Sequence, residues 1–260
     1  MTTSSIGFGG VAASLVLVAV AVAISLRYRL GMERTIVWAC ARGFVQLLAI
    51  GSALGLVLAD DAPLIWAFGW VAAMVAIGGV VIQRRVPTVA NMTSAGCLAL
   101  GLAGGAGLTV LFALGVFPLE PRAIVPTSGM IFGNAITASV SAARRTLLEV
   151  ENNRMAIEAR LSLGQPGPVA VRPQVSEAIR TALTPQVETI KILGLISLPG
   201  AMTGLLLAGV DPMDAVLVQL AMMFVILGGA SITSATLSLA VARRLLTRDH
   251  RLVLPETPAA

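Results

Sequence analysis

Charge is scarce in this chain: only 12% of its 260 residues are charged, against 57% hydrophobic, and mean hydropathy is +0.90. Soluble globular domains carry about 25% charged residues, so an ordinary soluble domain is excluded. Aromatic residues make up 4%, too few to build the stacking platforms on which single-stranded nucleic acids are held. The pI near 10.5 therefore does not point to nucleic acid. Histidine occurs once, as His250 in the polar tail, so no His-rich metal or catalytic cluster can form. Cys40 and Cys97 are far apart within apolar runs and suggest neither a redox motif nor a disulfide framework. Lysine also occurs once, as Lys191 between Ile190 and Ile192. A P-loop needs G-x-x-x-x-G-K-[ST], because its lysine must reach the terminal phosphates. ATP hydrolysis by this chain is excluded with it.

What fills the chain instead is apolar length. Crossing a hydrocarbon core takes about 20 residues of helix. Seven spans are predicted, near Ile6–Leu26, Ile36–Leu58, Leu64–Ile82, Val89–Val116, Ile124–Ala143, Thr189–Ala208 and Ala215–Ala242. The first run has no basic segment before it and reads as a retained helix. Continuous runs favour helices over barrel strands. The expected architecture is an all-α membrane bundle of about seven helices, forming a single permease domain over 1–260. Gly101, Gly104, Gly105 and Gly107 in the fourth span read as close helix packing, since no strand precedes them as a dinucleotide loop would require.

The arginines orient the bundle. Arg27, Arg29 and Arg34 follow the first span, and Arg84 and Arg85 follow the third. Arg144, Arg145, Arg154, Arg160, Arg172 and Arg180 lie between the fifth and sixth, and Arg243, Arg244, Arg248 and Arg251 follow the seventh. The other side has Arg122 alone, with Asp60, Asp61, Glu120, Asp211 and Asp214. Positive residues collect on the cytoplasmic side, so the N-terminus is expected outside and the C-terminus inside, in the inner (plasma) membrane.

One connection is long. Residues 144–188 are predicted to form a cytoplasmic elbow. A helix over Arg144–Leu163 places Leu147, Val150, Ile157 and Leu161 near one face, and Gly164 suits a left-handed cap. Gln165-Pro166-Gly167-Pro168 forces a turn. A second helix is expected from Pro173 to Leu183, with Thr184-Pro185 starting the next. Within the spans, Arg42 and Gln46 share one face of the second, while Pro199-Gly200 marks a hinge or break in the sixth. Pro126, Gly129, Gly133 and Asn134 give the fifth an irregular, small-residue face. Glu188 and Lys191, three residues apart, read as a local ion pair at the membrane boundary. Met130, Met202, Met222 and Met223 read as pliable packing, and no metal ligand set can be named.

These signatures together resemble the FetB-type permease family, membrane subunits of a putative iron-export ABC transporter with relatives linked to plant aluminium tolerance. The matching residues are Arg42-x-x-x-Gln46-Leu47, Pro126-x-x-Gly129-Met130-x-x-Gly133-Asn134-Ala135 and Glu158-x-x-Leu161-Ser162-Leu163-Gly164. They continue with Gly194-Leu195-x-Ser197-Leu198-Pro199-Gly200-x-Met202-x-Gly204, Gly209-x-Asp211-Pro212-x-x-Ala215 and Gln219. Glu158-Ala159 and Gly164 also have the E-A-x-x-x-x-G spacing by which ABC permeases dock their ATPase. The chain departs from the family where Gln165-Pro166-Gly167-Pro168 replaces the usual alanine after the elbow glycine.

The resemblance implies coupling through Glu158, Leu161, Ser162, Leu163 and Gly164. A pathway or hinge would use Pro126, Gly129, Asn134, Pro199, Gly200 and Gly204, with Arg42, Gln46 and Gln219 as intramembrane polar groups. It implies a permease homodimer in the lipid bilayer, with ATP and Mg on a separate ABC ATPase subunit and no cofactor on this chain. The cargo would be iron or another metal ion, moving outward. A secondary transporter or channel acting without an ATPase is the alternative. An intramembrane hydrolase would need a histidine or paired carboxylates in the bilayer, and the spans contain neither.

Overall fold

The computed structural model describes residues 8–57, 63–194, 196–247, 249 and 251–253. Asp60, Asp61, Leu195, Arg248 and His250 lie outside them. Among the described residues, ten helices run α1 Phe8–Tyr28, α2 Glu33–Val57, α3 Leu64–Arg85, α4 Met92–Ala113, α5 Pro121–Asn152, α6 Arg154–Ser162, α7 Gly167–Ala170, α8 Arg172–Ile192, α9 Gly200–Leu207 and α10 Pro212–Arg244. Among the described residues there are no strands, only two isolated β-bridges. The all-helical expectation holds.

Among the described residues, five helices are long and apolar enough to cross a membrane: α2 (over Glu33–Ser52), α3, α4, α5 and α10. The described apolar part of α1, Ala13–Tyr28, is shorter. The sixth span needs correction, because Thr189–Ala208 is not one helix. α8 ends at Ile192, a non-helical stretch follows, and α9 begins only at Gly200. Gly194 adopts a φ of +77°, which side-chain-bearing residues rarely adopt. Pro199 is extended, at φ −64° and ψ 150°. Its ring also removes an N–H from the ladder.

The chain divides into two compact units, Met1–Ala62 and Pro63–Ala260. The first contains the α1–α2 hairpin. Its turn is fixed by Ser25, whose hydroxyl donates to Glu33 Oε1 at 2.8 Å and accepts from the Met32 N–H at 3.2 Å. Ser25 is fully buried while the apolar window of α2 has no buried residue. A surface that apolar suits lipid.

The second unit is built around α5 and α10. Ile131, Phe132 and Ala135 of α5 pack in the core with Met222, Val225 and Leu237 of α10. Thr233 of α10 donates to the Ala135 carbonyl at 3.3 Å. Small residues let the helices approach. A Cβ on Gly104 would lie 2.6 Å from Phe132, and one on Gly107 would lie 2.8 Å from Val225. Gly101 and Gly105 have open space there, so only half of the predicted glycine set does this packing.

The arginine-rich end of this unit is tied across helices. Arg144 of α5 donates through Nε and Nη2 to the Arg85 carbonyl at the end of α3, at 2.9 and 2.7 Å. Arg244 of α10 donates to the Asn91 carbonyl beside α4 at 2.8 Å. Beyond α10 the chain folds back, pairing Val253 N–H with the Leu245 carbonyl at 2.8 Å.

A Cβ at Gly79 would meet Cys97 Sγ at 2.4 Å and the Thr93 carbonyl oxygen at 2.9 Å. The carbonyl cannot rotate away, so Gly79→Ala must push α3 from α4. Overpacking of this kind costs about 1–3 kcal/mol. The thermal unfolding midpoint in detergent should fall for Gly79→Ala and stay unchanged or rise for Gly105→Ala.

Candidate coupling elbow and membrane-embedded polar face

The elbow begins where α5 leaves the apolar zone at Arg144. The expected single helix over Arg144–Leu163 is interrupted at Asn153, which sits at φ −106° and ψ 20°. Its amide side chain donates to the Glu149 carbonyl at 2.8 Å, a local bond that competes with helix continuation. The predicted apolar face is present, with Val150 and Ile157 fully buried alongside Ala170, Val171 and Val175, and Leu147 and Leu161 packed against them.

Gly164 ends α6 as the sequence predicts. At φ +83° its N–H donates to the Leu161 carbonyl at 3.0 Å, and the Gln165 N–H reaches the Arg160 carbonyl at 3.1 Å. This is the paired 6→1 and 5→2 closure of a Schellman cap. Arg160, which the sequence reading used only for orientation, staples the turn. Its Nη1 donates to the Ala170 carbonyl at 2.8 Å and to Gln174 Oε1 at 3.4 Å. The candidate coupling residues thus divide into two roles. Leu161 faces inward, while Ser162, Leu163 and Gly164 are exposed, Leu163 to 82%. Glu158 is half exposed and paired with Arg154 at 2.7 Å. Met155, 85% exposed, adds a second apolar side chain to α6.

The second elbow helix does not stop at Leu183. α8 runs from Arg172 through Pro185 to Ile192, correcting the expected start of a new helix at Thr184-Pro185. Pro185 forfeits one backbone bond. On either side of it, Thr184 donates to the Arg180 carbonyl and Thr189 to the Pro185 carbonyl. Ala178 and Ala182 are buried. Gln186 Nε2 donates to Asn134 Oδ1 of α5 at 3.3 Å, and Asn134 Nδ2 donates to the Met130 carbonyl.

Other predicted residues scatter more widely. Pro126 lies inside α5 on an exposed face without ending it, and Gly129 is half-buried, with Met74 3.7 Å from its would-be Cβ. Pro199 caps α9, Gly200 opens it, and Gly204 is exposed along it. Arg42 and Gln46 are exposed on α2. Gln219 is buried in α10, and its Oε1 has no partner. Among the described residues, no group of three or more His, Cys, Asp or Glu could hold a metal.

The Glu188–Lys191 ion pair expected from its spacing is present. The 2.7 Å pair lies just beyond Gln186, Glu188 about half a turn on and Lys191 about one and a half, and Gln186 is level with Asn134. About 15 Å of helix separates Asn134 from Arg144, and about 20 Å separates it from Pro121. By this register Glu188 is level with the middle of α5, one of the helices long and apolar enough to cross a membrane.

Fold and polar face together define a multi-pass protein of the inner (plasma) membrane. A family model described as Uncharacterised protein family (UPF0014) matches residues 8–246, and the chain belongs to this family. It is 31% identical to "Probable iron export permease protein FetB" of Escherichia coli (strain K12), over 98% of each chain. It is 32% identical to rice "UPF0014 membrane protein STAR2", over 88% of this chain and 80% of that one. "Protein ALUMINUM SENSITIVE 3" of Arabidopsis thaliana is 29% identical, over 93% and 88%. No solved structure matches. The resemblance drawn from the motifs holds at the level of the family, since FetB and the aluminium-related plant protein are both similar to this chain over most of its length.

A side chain forced to φ > 0 costs about 1–2 kcal/mol. Gly164→Val should therefore speed hydrogen exchange at the Gln165 amide by about tenfold, as the α6 cap opens. Gly164→Asn, which tolerates this region, should change it far less.

Proposed function

We propose that this chain is the permease subunit of an ABC transporter that exports a metal ion, iron foremost, powered by a separate ATPase subunit. The observation that carries the coupling reading is the exposed end of α6. Leu163 projects at the capped end, and Met155 from the first turn, of a helix that is held from behind by Ile157 and Arg160. A side chain more than four-fifths exposed at a rigid, capped helix end is a ready contact for a partner. α6 also lies between α5 and α8 in the chain, so a push on it is passed to both. Glu158 and Gly164 mark this end in the E-A-x-x-x-x-G spacing. The name of the bacterial relative supports iron and export.

In this reading the whole chain works as one permease domain, with its N-terminus outside, its C-terminus inside and α6, α7 and the start of α8 in the cytoplasm. Two permease copies pair in the bilayer and two ATPase subunits, carrying ATP and Mg, dock on the two elbows. Pro126, Gly129, Asn134, Pro199, Gly200 and Gly204 supply irregular backbone where helices move against one another. Arg42, Gln46 and Gln219 are the polar groups such a passage can use.

A second reading is a secondary transporter working alone. The Glu188–Lys191 pair in the apolar zone favours it, because intramembrane ionisable groups mark ion pathways. Dependence on ATP separates the two. Copurification of the chain with its ATPase, and ATP-driven efflux from proteoliposomes, should both fall at least about tenfold for Leu163→Asp combined with Glu158→Lys, about 1.4 kcal/mol of lost contact. Unchanged complex formation and unchanged ATP-driven efflux would remove the elbow from the mechanism. Full-rate efflux by the chain alone would favour the second reading.

A further inference from the structure

α8 carries a polar ridge from the elbow into the membrane. Glu177, Thr181, Thr184, Glu188 and Lys191 recur at helical spacing along it, and all five are exposed. The opposite face, with Val175, Ala178 and Ala182, is buried. Pro185 supplies no N–H to the Thr181 carbonyl, which adds an acceptor along the same stretch. The ridge ends at the Glu188–Lys191 pair, near the middle of the apolar zone by its register with Asn134 and Arg144.

Lipid cannot face such a ridge cheaply. Placing an acidic or lysine side chain at the bilayer centre costs about 2.5–3.5 kcal/mol on insertion scales. The ridge therefore faces water or protein. Glu188 is also singular. Among the described residues of the second unit, the other carboxylates lie at Glu120, Asp211 and Asp214 near one set of helix ends, or on the elbow and tail at Glu149, Glu151, Glu158, Glu177 and Asp249. It is the one anion placed within the apolar zone.

We propose that Glu188 is the cation-binding carboxylate of the transport pathway and Lys191 its resident counter-ion, displaced when a divalent metal ion binds. This rests on the reading of a metal ion as cargo. Hard divalent ions prefer carboxylate, carbonyl and hydroxyl oxygens. The ridge offers these in Glu188, Thr184 and the Thr181 carbonyl. The ammonium of Lys191, 2.7 Å from Glu188 Oε1, keeps the carboxylate neutralised while the site is empty. It must be set aside when the metal enters, and it competes with the metal for the same oxygen.

Competition gives the two residues opposite signs, which a purely structural ion pair would not. The test uses the full chain in nanodiscs, with anaerobic Fe²⁺ alone as probe, by equilibrium dialysis at mildly alkaline pH. Glu188→Gln should weaken Fe²⁺ binding by at least about tenfold, through loss of the charged ligand. Lys191→Met should tighten it by about threefold or more, and Glu188→Asp should stay near the starting affinity. Unfolding midpoints and copurification with the ATPase report separately on folding and on the permease reading. Glu188→Gln and Lys191→Met moving affinity in the same direction, or not at all, overturns the proposal, as does absence of Fe²⁺ binding by the unaltered chain. If these results accompany an intact ATPase complex and ATP-driven efflux, the site assignment falls and the permease reading stands. If the unaltered chain binds no ATPase, the permease reading falls on its own.

Discussion

Hydrocarbon offers no hydrogen bonds and no hydrophobic reward for bringing two apolar helices together. The second unit is assembled under that constraint, and the α5–α10 seam is where it is met. Contact there comes from shape. Gly229 of α10 lets Ile131 approach to 3.3 Å of its would-be Cβ, and Thr233 spends its hydroxyl on both its own turn and the Ala135 carbonyl. The glycines of α4 close in on the same pair of helices from a third side. α8 then joins through small residues and one amide pair, Gln186 to Asn134. Apart from the gaps at Pro126 and Pro185, the helices satisfy their backbone internally, and the polar side chains that remain are few enough to be specific.

The parts legible in the sequence were those that depend on length and local chemistry. α3, α4, α5 and α10 could be read because their apolar runs are uninterrupted and end in arginines or turn residues. Gly164 could be read as a cap because only its conformation, and no distant neighbour, decides the matter. The sixth span could not. Hydropathy counts Leu193–Leu198 as apolar whether or not the backbone is helical, so the break between α8 and α9 is invisible to it. Pro185 misled in the other direction. After Thr184 it looks like a helix start, yet packing of Ala178 and Ala182 and the bond from Gln186 carry the helix through it.

The candidate site was half legible. The elbow could be placed from its arginines and its glycine, and its apolar face from spacing. Its stapling by Arg160 could not, because the acceptor is the carbonyl of Ala170 across a turn, and a backbone acceptor leaves no trace in sequence. The depth of Glu188 was hidden for a related reason. A span that starts inside a longer helix has no composition boundary, so the pair could be located only by what α8 packs beside. Irregular backbone near Gly194 and Pro199 and an ion pair a turn before it place the polar and the non-helical parts of this unit side by side along one stretch of chain.

α5 remains a single helix from Pro121 to Asn152 despite Pro126. At 1.5 Å per residue it is a rod about 48 Å long, longer than the apolar layer is thick. A rod of that length, if it pivoted on the α10 seam near its middle, would act as a lever. Tilting its elbow end by about 10° would swing the opposite end about 4 Å the other way. Closing one mouth of the protein and opening the other would then be a single movement and not two.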